Sequence, residues 1–196
     1  MNQSLTDFLA EVRQCTHCAE VLPLGPRPIV KMKSSARVLI IGQAPGTKVH
    51  ESGIPWDDRS GDRLRDWLSL SKDQFYNEGK IAIMPMGFCY PGVDKNGGDK
   101  PPRPECAPLW HDRLLSFLPK VELTLLIGAH AQKRYLGKRR EKTMTTTVAN
   151  WESYGPVQMP LPHPSWRNTF WLKKNPWFES DLLPVLRNKV GELIHE

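Results

Sequence analysis

Arg37-Val38-Leu39-Ile40-Ile41-Gly42-Gln43-Ala44-Pro45-Gly46 decides the fold. From Arg37 to Gly42 the run is short, apolar and β-branched without polar alternation, the pattern of a strand covered on both faces. It stops at Gly42, and Gly42 to Gly46 form a turn stiffened by Pro45. Ile81 to Met86 and Leu123 to Gly128 read as further strands, and a short one over Val157 to Leu161 ends just before His163. Helices are predicted between and around them. An amphipathic helix carrying Leu5, Phe8, Leu9 and Val12 opens the chain, and Ser60 to Leu70 places Leu64, Trp67 and Leu68 on one face with Ser60 or Asp62 as its cap. Leu109 to Leu118, Ala129 to Leu136 closed by Gly137, and Trp177 to Leu193 complete the set. Strand alternating with helix gives the fold class: α/β, a three-layer sandwich with a short, mostly parallel central sheet flanked by helices.

The chain has 196 residues, 39% of them hydrophobic, enough for one well-buried core, so residues 1–196 are expected to form one domain. The formal net charge is +6 and the pI about 9.2, with a basic run at Lys138, Arg139 and Arg140. This balance suits a polyanion partner. No stretch of 18 apolar residues exists, and the N-terminus lacks the basic, apolar, small-residue order of a signal peptide. A soluble, cytoplasmic monomer is the expectation. Thiols stay reduced in that compartment, so the four cysteines read as metal ligands, reactive groups or core fillers and not as disulfides.

Two motifs carry the chemistry. Gly42 to Gly46 departs from the Walker spacing, since three residues separate the glycines and Thr47 precedes Lys48. What it offers is exposed backbone donors, suited to a carbonyl-rich ring or a developing anion, although an ordinary strand-to-helix turn has the same composition. His163-Pro164-Ser165-Trp166-Arg167-Asn168 holds His163 between Pro162 and Pro164, so its ring can donate to a leaving-group oxygen at small entropic cost. Rigid polar turns at strand ends are where an open α/β sheet gathers its ligand, and these two point to a nucleic-acid base. Cys15-x-x-Cys18, then Cys89 and Cys106 at the two ends of a Gly- and Pro-rich loop from Gly87 to Pro104, form the third feature. Four thiolates suit zinc or an iron-sulfur cluster, and a metal would account for an ordered loop of that length; reduced core thiols are the plainer alternative. Among seven tryptophans, Trp67 and Trp110 sit at core spacing, whereas Trp56, Trp151, Trp166, Trp171 and Trp177 lie in polar or Pro-rich surroundings where a base can stack.

Taken in order, these features resemble the uracil-DNA glycosylase superfamily, most closely its family 4 iron-sulfur branch. The resemblance rests on Gly42-Gln43-Ala44-Pro45-Gly46, Gly53-Ile54-Pro55-Trp56, Gly61 with Leu64, Cys106-Ala107-Pro108, Leu126-Ile127-Gly128-Ala129-His130-Ala131 and His163-Pro164-Ser165, over roughly residues 11 to 175. It implies a monofunctional DNA N-glycosylase that flips out and excises uracil or a related deaminated base. On the same footing it implies Gln43 and His163 as catalytic residues, and Gly42, Ala44, Pro45, Gly46 and Trp56 as the base pocket. Ser165, Arg167 and Asn168 would contact DNA, and Cys15, Cys18, Cys89 and Cys106 would hold a four-iron cluster, with zinc as the alternative.

Two departures bear on activity. Position 43 is Gln where family 4 carries Glu, and Ala44 stands where family 1 carries Asp. The Asn that reads the uracil edge should fall about four residues before Cys89, where Pro85 stands. Gln43 can position a water without deprotonating it, and Asp57, Asp58 or Glu51 are candidate replacement carboxylates. The competing readings are a non-catalytic binder of damaged bases or single strands that keeps the pocket, and a zinc-stabilised RNA-associated protein. A DNA-binding face is expected to include Arg167 together with Lys138 to Arg140.

Overall fold

The computed structural model describes residues 3–195. Four parallel strands, β1 (Val38–Ile41), β2 (Ile81–Ile83), β3 (Leu123–Ile127) and β4 (Gln158–Leu161), lie in the order β2-β1-β3-β4. The buried run read from the sequence is thus a central strand, with Leu39 paired to Ala82 on one side and to Thr124 on the other. Its period of two divides the core. Leu39 and Ile41 face a cluster with Phe8 and Val12 of α1 (Leu5–Arg13), Trp110 and Leu114 of α5 (Cys106–Ser116) and Ala131 of α6 (Ala129–Leu136). Val38 and Ile40 face the opposite cluster, built on Leu64 and Trp67 of α3 (Arg59–Leu68) and Leu186 and Val190 of α9 (Leu183–His195). Burial on both faces is why this strand has no polar alternation. The α/β three-layer sandwich expected from the sequence is the architecture found, and no helix among the described residues is long and apolar enough to cross a membrane.

Several boundaries differ from the expectation. Asp58, and neither Ser60 nor Asp62, caps α3: its backbone is extended and its side chain accepts from the Gly61 N–H at 2.8 Å. Ser60 and Asp62 fall inside the first turn, and Asp62 instead pairs with Arg65 at 2.6 Å. Helix α3 stops at Leu68 because Ser69 turns left-handed at φ 55°. Strand β2 ends at Ile83 and not at Met86, because Pro85 has no N–H for the ladder; Met84 and Met86 still donate to the carbonyls of Ile40 and Gly42. The closing helix begins as a π-helical turn over Phe178–Leu182, since Pro184 lacks the N–H that would close regular turns there. Short helices α2 (Thr47–Ser52), α4 (Lys72–Phe75), α7 (Met144–Ala149) and α8 (Thr169–Lys174) escape a periodicity reading, although Ser71/Gln74 and Thr143/Thr146 are capping boxes with a sequence signature.

Behind the sheet end lies a buried polar cluster. The fully buried His111 of α5 contacts the Pro85 carbonyl through Nε2 at 3.1 Å, and a carbonyl only accepts, so Nε2 carries the proton. Nδ1 then accepts from the Tyr135 hydroxyl at 2.6 Å. Burial pushes His111 down to about 4, only partly offset by its bond to Pro85. The sign follows: above pH 6.5 both folded and unfolded states hold a neutral imidazole, and as pH falls from 6.5 to 4 the unfolded chain takes up a proton the folded one refuses. Folding stability should therefore drop by about 3 kcal/mol across that window on account of His111. Urea unfolding of wild type and His111→Gln at stepped pH checks this, and parallel curves would refute it.

Candidate active site

All four strands run parallel, so their C-terminal ends open on one side, and the chain leaving them builds one cavity of about 490 Å³ there. The turn Gly42 to Gly46 leaves β1, Pro85 follows β2, and His163 follows β4. Every residue the sequence assigned to the site lines this cavity: Gly42, Gln43, Ala44, Pro45, Gly46, Trp56, His163, Ser165, Arg167 and Asn168. Of the replacement carboxylates, Asp58 lines it as well, while Asp57 and Glu51 do not. Lys138 to Arg140 does not either, which corrects the expectation that it shares a face with Arg167. The run follows α6 and not a strand, and α6 carries the chain back to the far end of the sheet, where Arg139 hydrogen-bonds Gln158 at the start of β4.

Trp56 is fixed from below and behind. Its φ of 60° is left-handed, unusual for a bulky residue, and surrounding bonds hold it there. The buried Arg65 donates to the Trp56 carbonyl at 3.2 Å, and the Tyr76 hydroxyl donates to the Pro55 carbonyl at 3.0 Å. Two glycines let the tryptophan in: a Cβ on Gly42 would lie 2.6 Å from the indole Cζ2, and one on Gly61 would lie 1.7 Å from the Trp56 carbonyl oxygen. The indole thus rests on the β1 turn, with its ring centroid 5.6 Å from that of His163.

His163 is half-buried at the cavity wall beside Gly128, and the Asn168 amide donates to its carbonyl at 2.6 Å, closing the His163–Asn168 turn on itself. Burial holds its pKa below the ordinary histidine value, with Asp58 pulling weakly the other way, so the ring is neutral at pH 7. At the rim, Arg167 donates to the Gly97 carbonyl at 3.0 Å and lies against the ring of Trp166, which is 70% exposed. Arg63 of α3 braces the same turn through the Ser165 carbonyl at 3.0 Å.

Sequence reasoning missed Asp99. It lines the cavity from the Gly87–Pro104 loop, and burial raises its pKa, with Arg167 opposing and Asp58 and Asp94 adding to the rise. No motif marks it, because the loop reads only as Gly, Pro, Asp and Lys; its length is the one signal of a role. The Gln43 side chain reaches the same loop, its amide nitrogen donating to the Lys100 carbonyl at 3.4 Å.

The four cysteines line a second pocket together with His17, Phe88, Arg103 and Trp110. All four are free thiols, and the Phe88 N–H donates to Cys106 Sγ at 3.3 Å. Burial raises the Cys89 thiol to about 11 and the Cys106 thiol to about 12. Among the described residues, no group of three or more His, Cys, Asp or Glu side chains stands close enough to hold a metal ion as placed. The sulfurs share a pocket without forming a closed coordination site.

The Trp56 clamp yields a direct expectation. Gly61→Ala drives a methyl into backbone, so stability should fall by about 3 kcal/mol or more and the cavity-side tryptophan should lose its fixed environment. Thermal melts and near-ultraviolet circular dichroism measure both; a variant as stable as wild type would contradict the clamp.

The family profile described as the Uracil DNA glycosylase superfamily matches residues 30–187, from just before β1 into α9. That span holds both cavity-forming turns, Trp56 and its glycines, and two of the four cysteines, with Cys15 and Cys18 lying upstream. The chain belongs to the uracil DNA glycosylase superfamily.

Proposed function

We propose that this chain is a monofunctional DNA glycosylase that flips a uracil or related deaminated base into the cavity and hydrolyses its N-glycosidic bond, the opening step of base excision repair. The observation that carries the reading is the convergence of the Gly42–Gly46 turn, Trp56 and His163 on one cavity at the strand ends. The extruded base stacks on the clamped indole. Cleavage passes through an oxocarbenium-like state in which negative charge gathers on the departing base. Backbone N–H groups of the turn and the His163 ring are the donors for that charge, and a neutral imidazole donates without first having to be charged. Arg167, Ser165 and Asn168 hold the flanking DNA, and the exposed Trp166 beside them suits the gap left by the flipped base.

The substrate base follows less directly. Pro85 brings no side-chain amide to the wall, and its carbonyl already accepts from His111, so the edge of the base is read by other groups. That same lack, with Gln43 in place of a carboxylate, favours a second reading in which the chain binds damaged or single-stranded DNA without cleaving it. A single-turnover assay over uracil, hypoxanthine and xanthine, in single and double strands, separates the two. Cleavage by wild type, and a His163→Ala variant slowed by about 100- to 1,000-fold with DNA affinity retained, is the expected result. Binding without any cleavage supports the second reading.

Cys15, Cys18, Cys89 and Cys106 fit a four-iron cluster of the family 4 kind in donor chemistry: four soft sulfur donors, which would lose their protons on binding it, around one apolar pocket, one receiving a backbone N–H. Such a group would supply a crosslink between the segment after α1 and both ends of the 87–104 loop. Anaerobically prepared protein should contain about four irons and four sulfides per chain. One zinc per chain would select the alternative metal, and neither would leave four structural thiols.

A further inference from the structure

We propose that Asp99, carried into the cavity by the 87–104 loop, is the general base that activates the hydrolytic water, and that Gln43 is the positioning residue that keeps it there. The inference rests on the glycosylase reading of the same cavity. Hydrolysis needs a group to take the water proton, and the β1 turn, with Gln43 and Ala44, provides none. The carboxylates lining the cavity are Asp58 and Asp99. Asp58 commits one oxygen to the Gly61 N–H as the cap of α3, and its charge acts on His163, on the side where the leaving base accumulates negative charge. A second negative charge there opposes departure.

Asp99 stands elsewhere. Its Oδ2 lies 3.6 Å from the point a Cβ on Gly46 would occupy, so the carboxylate hangs over the turn that lacks one of its own. Among the described residues no donor hydrogen-bonds that carboxylate, which leaves both oxygens free for water. Two tethers hold the loop on either side of it: Arg167 to the Gly97 carbonyl at 3.0 Å, and Gln43 to the Lys100 carbonyl at 3.4 Å. A Cβ on Gly98 would meet Arg167 Nη1 at 2.6 Å, so a side chain there would push the guanidinium from its place beside Gly97. The Gln43 tether also explains why position 43 is an amide. A glutamate there has no N–H for the Lys100 carbonyl and would repel Asp99. The carboxylate has in effect moved from the turn to the loop, with a donor in the turn to anchor it.

In the step, the C1′–N bond breaks and its electron pair leaves with the base. A water oxygen bonds to C1′, Asp99 takes that water's proton, and the base anion is protonated from solvent. The charges facing Asp99 are Arg167 from the His163–Asn168 turn, Asp58 at the start of α3 and Asp94 on its own loop, with Lys100 next in sequence. Burial and the two aspartates outweigh Arg167, so the rate should lose its general base on acidification above the ordinary carboxylate range.

The test uses the full-length protein and single-turnover cleavage of an oligonucleotide carrying whichever base wild type excises, with affinity for an uncleavable 2′-fluoro analogue and thermal melts alongside. Asp99→Asn should slow cleavage by about 100-fold or more and erase the acidic limb of the pH profile, with folding and affinity retained. Gln43→Ala should slow cleavage and shift that limb, and Gln43→Glu with Asp99→Asn should recover part of the loss by returning a carboxylate to the turn. Activity of Asp99→Asn within about threefold of wild type overturns the proposal, as does a collapse confined to Asp58→Asn. Wild type that cleaves no base overturns the glycosylase reading itself, an outcome distinct from an active enzyme indifferent to Asp99.

Discussion

The burial of β1 on both faces constrains everything built around it. Val38, Leu39, Ile40 and Ile41 are all at most 1% exposed, with a parallel neighbour on each side and a helical layer on each face. Parallel strands need crossovers, and crossovers place every strand's C-terminal end on one side. The polar turns after β1 and β4 are therefore brought to one place by topology alone, and the order β2-β1-β3-β4 separates the connections leaving β1 and β3 so that a crevice opens between them. At that crevice the carbonyls of Gly42 and Gln43 still accept from Met86 and Gly87, while the N–H groups of the turn are no longer consumed by the sheet.

Around this crevice the protein builds rigidity by close approach more than by added bonds. Trp56 fits because Gly42 and Gly61 have no side chains, and its strained backbone is held by Arg65 and Tyr76 reaching from α3 and the end of α4. The cost of a left-handed tryptophan, on the order of 1 to 3 kcal/mol, is offset by these contacts, and the result is a flat ring fixed at the cavity wall. Behind the same wall, His111 links the Pro85 carbonyl to Tyr135 and stacks on Phe88 at 5.4 Å, while the Phe88 N–H meets Cys106. One short segment, Pro85 to Cys89, thus joins the cavity at the strand ends to the cysteine pocket.

The sheet and the two main motifs are legible in the sequence because each is a local pattern: a doubly buried strand, glycines around a proline, a histidine between prolines. The residues those motifs assign to the site do line the cavity, from Gly42 at one wall to Asn168 at the other. Where pattern reading fails, the causes are physical. Ser60 and Asp62 resemble caps, but which residue caps a helix depends on where the backbone is extended, and that residue is Asp58. Lys138 to Arg140 misleads because a charge run says nothing of how many elements lie between it and a strand end. Short helices of four to six residues have too few positions for a period to show.

Asp99 marks the boundary of what pattern reading reaches. A residue whose role comes from where a long irregular loop folds has no periodicity, and its neighbours Gly97 and Gly98 look like any turn. The loop pairs with itself, Val93 bridging Asp99 and the Lys100 N–H donating to the Gly92 carbonyl, and Gln43 to Lys100 and Arg167 to Gly97 fasten that pairing to the cavity. The motifs mark both tether donors as site residues, Gln43 to hold water and Arg167 to hold DNA. In the folded chain both side chains hold the loop. The two fastenings differ in kind: Arg167 sits at the exposed rim, so a competing anion that draws it from the Gly97 carbonyl loosens the loop there, while Gln43 and the Val93–Asp99 pairing still hold it.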